Sequence, residues 1–306
     1  TPQSVREFSA ACYFFGRELQ KSVDVPMGLI HAAWGGSRIE AWISADRLRL
    51  AGGHAAALDV LAQASTDPAA AVAGWGAVWE AWWHQQAANG AEGAGGVADE
   101  DAPWAGASGG WTAAQPSTRW VAPAVAEHVG QTWYRASFTL GPAQVLQAAT
   151  LELGPVDEID MTWVNGHAVG SASGSDTPRA YPVPAGMLVA GRNHVVVNVL
   201  NTYREGGIGG GAGSHALVLA DGTRIALQEW GHRVVPSSAA TPPTAPWMAT
   251  SGLGTLYNGM VSPLAGYGLR GVAWYQGESN TGEPERYPAL LQAYRDDLRA
   301  RFGADL

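Results

Sequence analysis

The chain has 306 residues, of which 46% are hydrophobic and only 15% are charged, and its formal net charge is -9 at pH 7. This length and apolar content can supply the cores of one large domain or two moderate ones. Because Lys21 is the only lysine and acidic residues are in excess, the composition argues against a nucleic-acid partner and against an anionic membrane surface.

The cysteine and histidine residues give no sign of a metal site. Cys12 is the only cysteine, so neither an intrachain disulfide nor a CxxC metal motif can form. The histidines show neither HExxH nor HxH spacing. We therefore expect no metal and no other cofactor. Within these 306 residues we recognise neither a signal peptide nor an apolar run of transmembrane length, which says little about the compartment because both ends of the sequence look cut.

The beginning of the chain has a helix, strand, helix pattern. Apolar residues recur every three or four positions from Ser4 to Ser22, which predicts a helix buried along one face. The run VPMGLIHAAW, residues 25–34, predicts an apolar strand, and a second helix is predicted from near Ile39. A strand too apolar to alternate, between two helices, is typical of a parallel sheet covered on both faces.

The next segment, residues 54–89, is rich in Ala and predicted to be helical. It carries tryptophans at helical spacing: Trp75, Trp79, Trp82 and Trp83. Such a stripe could stack on sugars, but we favour a place in the core. The following run GAEGAGGVADEDAPWAGASGG, residues 90–110, is typical of a flexible acidic linker.

From about Trp111 to Trp230 the sequence consists of short alternating runs separated by turn residues, which predicts an antiparallel β-sandwich. The pair Asn165-Gly166 predicts a two-residue hairpin, because both turn positions need positive φ. Four aromatic side chains in this block could stack on sugar rings, although we favour burial in the core: Trp133, Trp163, Tyr181 and Tyr203.

After the Pro-rich stretch VVPSSAATPPTAPW the first pattern returns, with the apolar strand LRGVAWYQG and the amphipathic helix PERYPALLQAYRDDLRARFG. The simplest organisation is an α/β domain with a parallel sheet, interrupted by an inserted antiparallel β-sandwich. We place the first part of the α/β domain at residues 1–109, the sandwich at 110–232 and the second part at 233–306.

Ligand sites of open parallel sheets lie at the carboxyl ends of strands, where this sequence has the polar turns AAWGGSRIE and AWYQGESN. Ser37 occupies the position of an elbow nucleophile, but the GxSxG motif fails because Ile39 stands where the closing Gly belongs. Ser37 with Glu40 three residues later fits a capping box, which is the interpretation we favour.

The Gly pair of the first turn fits a different chemical role. The backbone N–H groups of Gly35 and Gly36 could donate to a developing negative charge, as in an oxyanion hole. The amides of Gln276 and Asn280 could donate to the same oxyanion, and Glu278 could orient a histidine. The alternative is that these polar side chains only satisfy the backbone of their loops.

These turns also carry a resemblance to a known family. GLIHAAWGGSRIEAW and LYNGMVSPLAGYGLRGVAWYQGESN resemble two inner blocks of the sialate O-acetylesterase and acetylxylan-esterase-like group of SGNH hydrolases. The middle module, with TWYRASFTL, WVNGHAVG and GRNHVVVNV, is similar to the galactose-binding-like β-sandwich that many bacterial members insert between those blocks. The resemblance covers nearly the whole chain.

The resemblance implies an SGNH (flavodoxin-like) parallel sheet with helices on both faces and the sandwich inserted into it. It implies a carboxylic ester hydrolase that removes O-acetyl groups from sugars with a Ser nucleophile, a His base and an acidic partner, without a metal. An acetylated sugar or glycan is then the expected substrate, which favours a periplasmic or secreted bacterial enzyme. Glu278 is a candidate for the acid that supports the histidine. By position, six residues match the blocks that form the oxyanion hole: Gly35, Gly36, Gln276, Gly277, Glu278 and Asn280.

Two motifs of the family are missing from these 306 residues. The family nucleophile lies in a GQSNM-type block ahead of the opening helix, and its histidine lies in a DxxH block after further strands. Both ends of the sequence also resemble positions inside a longer protein. We therefore expect an internal fragment that is inactive on its own.

Two rival functions stay open on the sequence alone. One is a carbohydrate-binding protein, in which the sandwich holds glycan and the α/β part is only a scaffold. The other is a structural role, in which the inserted module mediates assembly. The polar turns favour the esterase, because neither binding by the sandwich nor assembly requires them.

Overall fold

The computed structural model describes residue 3 and residues 5–88, 102–105, 109–117, 119–211, 213–236 and 240–306. The chain divides into two compact units, which we call the discontinuous unit (Thr1–Leu58 and Pro246–Leu306) and the sandwich unit (Asp59–Ala245). Most of the predicted acidic linker lies outside the described residues.

The α-helices of the described residues are α1 (Ala10–Gln20), α2 (Ala45–Ala51), α3 (Ala55–Ala64), α4 (Pro68–Ala88) and α5 (Tyr287–Phe302). Two of them begin with a serine cap, the arrangement that satisfies a free N–H of the first turn. Ser9 Oγ accepts from the N–H of Cys12 at 3.3 Å ahead of α1, and Ser44 Oγ accepts from the N–H of Arg47 at 3.3 Å ahead of α2.

The strands of the described residues are β1 (Thr112–Ala113), β2 (Gly130–Leu140), β3 (Ala149–Asp157), β4 (Ile159–Val164), β5 (His167–Ser173), β6 (Pro178–Val183), β7 (Gly191–Asn201), β8 (Gly207–Ile208), β9 (Ala216–Leu219), β10 (Arg224–Ala226) and β11 (Gln228–Val234). One sheet has the order β1-β11-β2-β7-β4-β5, and the other has the order β10-β9-β3-β6 with β8 paired to β3. Each of these pairings is antiparallel. Inward-facing side chains of both sheets form one apolar core, so the two sheets make a β-sandwich.

The hairpin between β4 and β5 turns at Asn165-Gly166, with φ of 49° and 83°. Positive φ at both positions confirms the hairpin that the sequence predicts. The Asn165 side chain also donates to the carbonyl O of Met187 at 2.8 Å and accepts from the N–H of His194 at 2.9 Å. The turn is therefore held to β7 as well as to its own strands.

Helix α4 covers the outer face of the six-stranded sheet. The ring of Trp79 lies 5.2 Å from that of Trp163 and 5.4 Å from that of Trp133. The helix comes so close that a Cβ built on Gly76 would lie 2.4 Å from Cβ of Ala168. This cover explains why β2 buries Trp133 on one face and the neighbouring Tyr134 on the other. The predicted core role of the Trp stripe is confirmed for its buried members Trp75, Trp79 and Trp83, each 2% exposed.

The predicted fold class is wrong. Among the described residues no strands pair in parallel, and the segments predicted as parallel strands, residues 25–34 and 269–277, have no regular secondary structure. Their apolar side chains stay partly exposed, at 39% for Leu29, 43% for Ile30 and 44% for Val272. The physical reason is that an apolar run supplies only the tendency to be buried. A strand also needs a neighbour to share its backbone hydrogen bonds, and no described segment of this unit does so.

The predicted second helix also differs from the observed one. Residues Ile39–Trp42 form a single 3-10 turn, and the regular helix starts only with α2. The domain boundaries at 109/110 and 232/233 stay a prediction about sequence modules, whereas the compact units change at 58/59 and 245/246.

Candidate functional site

The two polar turns of the sequence meet in the discontinuous unit. We call them the first turn (residues 34–42) and the second turn (residues 274–287). Gln276 Nε2 donates to the carbonyl O of Ser37 at 2.8 Å, across a sequence separation of 239 residues. The N–H of Ile39 donates to Oδ1 of Asn280 at 3.0 Å, across 241 residues. The structure therefore brings together the turns that the sequence predicts as parts of one site.

Asn280 is the central residue of this contact and is only 3% exposed. Its Oδ1 accepts from the N–H of Ile39 and from Gln276 Nε2, the latter at 2.8 Å. Its Nδ2 donates to Oε2 of Glu40 at 2.9 Å. Because a buried amide without partners costs free energy, this set of bonds holds the two turns in one arrangement.

Glu40 is a buried carboxylate that the sequence analysis assigns only to a helix cap. It is 3% exposed and accepts from Arg38 at 3.0 Å as well as from Asn280. Arg38 also pairs with Glu283 of the second turn at 3.2 Å. Burial alone would lower the pKa of Arg38, but Glu40 and Glu283 raise it, so the guanidinium stays charged. The buried carboxylate is thus neutralised by a cation that both turns share.

Ser37 takes neither of the roles considered for it. Its hydroxyl donates to the carbonyl O of Trp34 at 2.8 Å and accepts from Nε1 of Trp42 at 2.9 Å, and the residue is 4% exposed. The predicted cap is wrong, because Arg38 occupies the N-cap position and no side chain caps the 3-10 turn. The hydroxyl hydrogen is used within the first turn, which argues against a nucleophilic Ser37.

The Gly pair of the first turn lies open to solvent. Gly35 and Gly36 are exposed, and a Cβ on either would meet nothing within 4 Å. Gly36 has φ of +70°, a conformation that favours glycine. In the part of the chain that the structure describes, neither N–H makes a backbone hydrogen bond. These two N–H groups are available as donors to a ligand.

The side-chain amide of Gln276 already makes hydrogen bonds within the protein. Its two Nε2 hydrogens reach the carbonyl O of Ser37 and Oδ1 of Asn280, both at 2.8 Å. The hydroxyl of Tyr287 lies 2.6 Å from the carbonyl O of Gln276 and 3.0 Å from its Oε1. Gln276 and Asn280 therefore act in this structure as supports of the turns.

Glu278 lies exposed at the start of the short 3-10 helix Glu278–Asn280, which follows Gly277. No hydrogen bond joins its carboxylate to a histidine among the described residues. The histidine that contacts the second turn is His54, whose Nε2 lies 2.9 Å from Arg286. Burial and the charge of Arg286 lower the pKa of His54, so its imidazole is neutral at pH 7.

No group of three or more His, Cys, Asp and Glu side chains within the described ranges is placed to hold a metal ion. In the same ranges, no helix combines the length and the apolar character needed to cross a membrane.

This chain is similar to known proteins over parts of its length. No family model matches it. Over 44 residues, 14% of this chain, it is 48% identical to the sialate O-acetylesterases of Homo sapiens and Pongo abelii. Over 44 residues it is 43% identical to the sialate O-acetylesterase of Mus musculus. The matched stretch spans 8% of the length of these relatives.

Solved structures show a likeness that is weaker still. A β-glucuronidase of Bifidobacterium dentium has 28% identity and a TM-score of 0.23, covering 24% of this chain and 12% of its own. A β-glucuronidase of Ruminococcus gnavus has 22% identity and a TM-score of 0.26, covering 28% of this chain and 16% of its own. TM-scores this low carry no inference about fold or activity. The comparisons therefore establish a short similarity to sialate O-acetylesterases.

Proposed function

We propose that the first and second turns form the oxyanion-binding part of a carbohydrate O-acetylesterase that works by Ser/His catalysis. The observation that carries the proposal is the hydrogen-bonded junction around Asn280 and Gln276, which joins the second turn to residues 37–40, directly after the exposed Gly35 and Gly36. The short similarity to sialate O-acetylesterases supports the same chemistry.

The proposed chemistry is hydrolysis of an acetyl ester on a sugar. Attack on the acetyl carbonyl converts its oxygen into an oxyanion, and donors fixed in advance stabilise that charge. Removal of one such donor typically lowers the rate by about 10²- to 10³-fold. We assign the donor role to the N–H groups of Gly35, Gly36 and Gly277, and a supporting role to Gln276 and Asn280. Glu278 is proposed as the acid that supports the catalytic histidine.

The nucleophile and the base are not assigned to residues of this chain. The proposed substrate is an acetylated sugar or glycan, and the proposed compartment is the periplasm or the extracellular space. The chain should then be inactive by itself, while its oxyanion-binding part still assists a nucleophile supplied from solution.

Hydrolysis of p-nitrophenyl acetate, with and without added imidazole, tests this proposal. Without imidazole we expect no rate above that of buffer. With imidazole as external nucleophile we expect the chain to accelerate acetyl transfer about tenfold or more. Asn280→Ala and the milder Gln276→Ala should lose this acceleration, whereas Asn258→Ala, a change at an exposed Asn of the same unit, should keep it.

Two results would contradict the proposal. One is an imidazole-dependent rate that is the same with the chain, with its Asn280→Ala variant and with no protein. The other is activity without imidazole that disappears in Ser37→Ala, because that result would make Ser37 the nucleophile.

A further inference from the structure

The sandwich unit has a cleft of about 910 Å³ in the region where β3, β5 and β7 end. Its lining is mainly polar and charged, with one large aromatic side chain, that of Tyr203. All of its lining residues belong to the sandwich unit, and none of them belongs to the first or second turn. A ligand of this cleft would therefore bind apart from the proposed esterase site.

Tyr203 differs from the other aromatic side chains that the sequence offers for stacking on sugar. Trp133 and Trp163 are 0% exposed and Tyr181 is 9% exposed, so the core prediction holds for these three. Tyr203 is 68% exposed, which makes the core prediction wrong for this residue. The reason is its position just after the end of β7, beyond the alternation that buries a strand residue.

The loop that carries Tyr203 is held in place by Asn201. The Asn201 side chain donates to the carbonyl O of Arg204 at 2.7 Å and accepts from the N–H of Tyr203 at 3.1 Å. The guanidinium of Arg204 lies 4.8 Å from the centre of the Tyr203 ring. The backbone that carries the ring is thus held in place before a ligand arrives, which lowers the ordering cost of binding.

The carboxylates of the cleft differ in whether they already accept a hydrogen bond. The carboxylates of Glu127 and Asp157 make no hydrogen bond within the described part of the chain, while Glu158 uses Oε2 on the hydroxyl of Thr202. The lining contains four carboxylates and two guanidinium groups, a net charge of -2. Acceptors and donors therefore stand side by side next to an exposed aromatic face.

We propose that this cleft binds a neutral glycan, with one pyranose ring stacked on Tyr203 and its hydroxyl groups donating to the carboxylates of Asp157 and Glu127. A hydroxyl donates and accepts, so a sugar can use carboxylates and guanidinium groups together. The polar lining does not fit an apolar ligand, and the excess of carboxylates opposes an acidic sugar such as sialic acid. An organic cation would find the carboxylates but would face the guanidinium of Arg204 at the Tyr203 ring, while the guanidinium of Arg119 pairs with Glu205 at 2.7 Å.

Isothermal titration of the full chain with xylotetraose, cellotetraose and β-galactotetraose tests this proposal, with sialyllactose as the acidic counterpart. We expect saturable binding of at least one neutral tetraose and at least about tenfold weaker binding of sialyllactose. Tyr203→Ala should weaken the neutral ligand about tenfold or more. Tyr267→Ala, which removes an exposed Tyr (63%) of the discontinuous unit, should leave binding unchanged.

A second variant and a folding control keep the result interpretable. Asp157→Asn removes one charge without changing the size of the side chain, and it should reduce the difference in binding affinity between neutral and acidic ligands. Thermal unfolding should be the same for Tyr203→Ala and the unmodified chain, because the side chain is exposed. The proposal is overturned by no binding of any neutral tetraose at about 10 mM, by equal binding in Tyr203→Ala, or by sialyllactose binding as tightly as the neutral ligands.

Discussion

Replacing Glu40 by Gln tests the claim that a buried carboxylate holds the first turn to the second. The carboxylate accepts from Arg38 at 3.0 Å and from Asn280 at 2.9 Å, and it is 3% exposed. A Gln side chain has one acceptor and one donor at the same place. Whichever way it turns, an N–H group faces either the Arg38 guanidinium or the Asn280 amide.

The expected cost follows from these contacts. Removing one partner of a fully buried ion pair costs about 3–5 kcal/mol, but Arg38 keeps its second carboxylate, Glu283, and its side chain is 27% exposed. We therefore expect Glu40→Gln to destabilise the discontinuous unit by about 2–3 kcal/mol. Glu283→Gln is the matched control, since Glu283 is 42% exposed, and it should cost less than about 1 kcal/mol.

Amide hydrogen exchange measures this effect at one bond. The N–H of Ile39 donates to the amide that Glu40 orients, so its protection reports opening of the junction. A loss of 2–3 kcal/mol corresponds to exchange that is about 30- to 150-fold faster. Unchanged exchange of Ile39 in Glu40→Gln would refute the reasoning, as would an equal acceleration in Glu283→Gln.

Three further predictions concern the sandwich unit, and urea unfolding measures each of them. Trp79→Ala should lower the free energy of unfolding by about 3–5 kcal/mol, because the ring packs between the helix and the sheet. Trp82→Ala should lower it clearly less, because Trp82 is only half-buried, and equal losses would contradict this packing. Burial lowers the pKa of His215, so the unfolded chain takes up a proton first and stability should fall as pH drops below about 6.5. That pH dependence should be weaker in His215→Gln, and an unchanged profile would exclude His215 as its source. Asp160→Ala should cost about 3–5 kcal/mol, because it leaves the buried Arg179 without its carboxylate at 2.7 Å, and a loss below 1 kcal/mol would show that Arg179 finds another partner.

The β-sandwich could be predicted from sequence because its signals are local. Alternation marks β2 and β7, and Asn165-Gly166 fixes a turn whose φ values depend only on the two residues themselves. The burial of the Trp stripe was predictable for a similar reason, since spacing along a helix is a local property. The exposure of Tyr203 could not be predicted in this way, because the residue lies beyond the end of a strand.

The parallel sheet and the cap of the first turn could not be predicted because they depend on distant groups. Residues 25–34 have the composition of a strand, but pairing is decided by neighbours that the local sequence does not contain. Ser37 and Glu40 match a capping box, yet the Ser37 hydroxyl bonds Trp34 and Trp42 while Glu40 bonds Asn280, 240 residues away. The sequence indicated that the two turns meet, but not which of their side chains already make hydrogen bonds within the protein.

The most direct test of the central claim is a titration with methylphosphonate, a tetrahedral anion that stands in for the oxyanion, followed by NMR of backbone amide protons. We expect saturable shifts of the Gly35, Gly36 and Gly277 amide protons, with loss of the effect in Asn280→Ala and retention in Asn258→Ala. If these three amide protons stay unmoved at saturating methylphosphonate, or if the largest shifts lie elsewhere in the chain, the turns do not form an oxyanion-binding site.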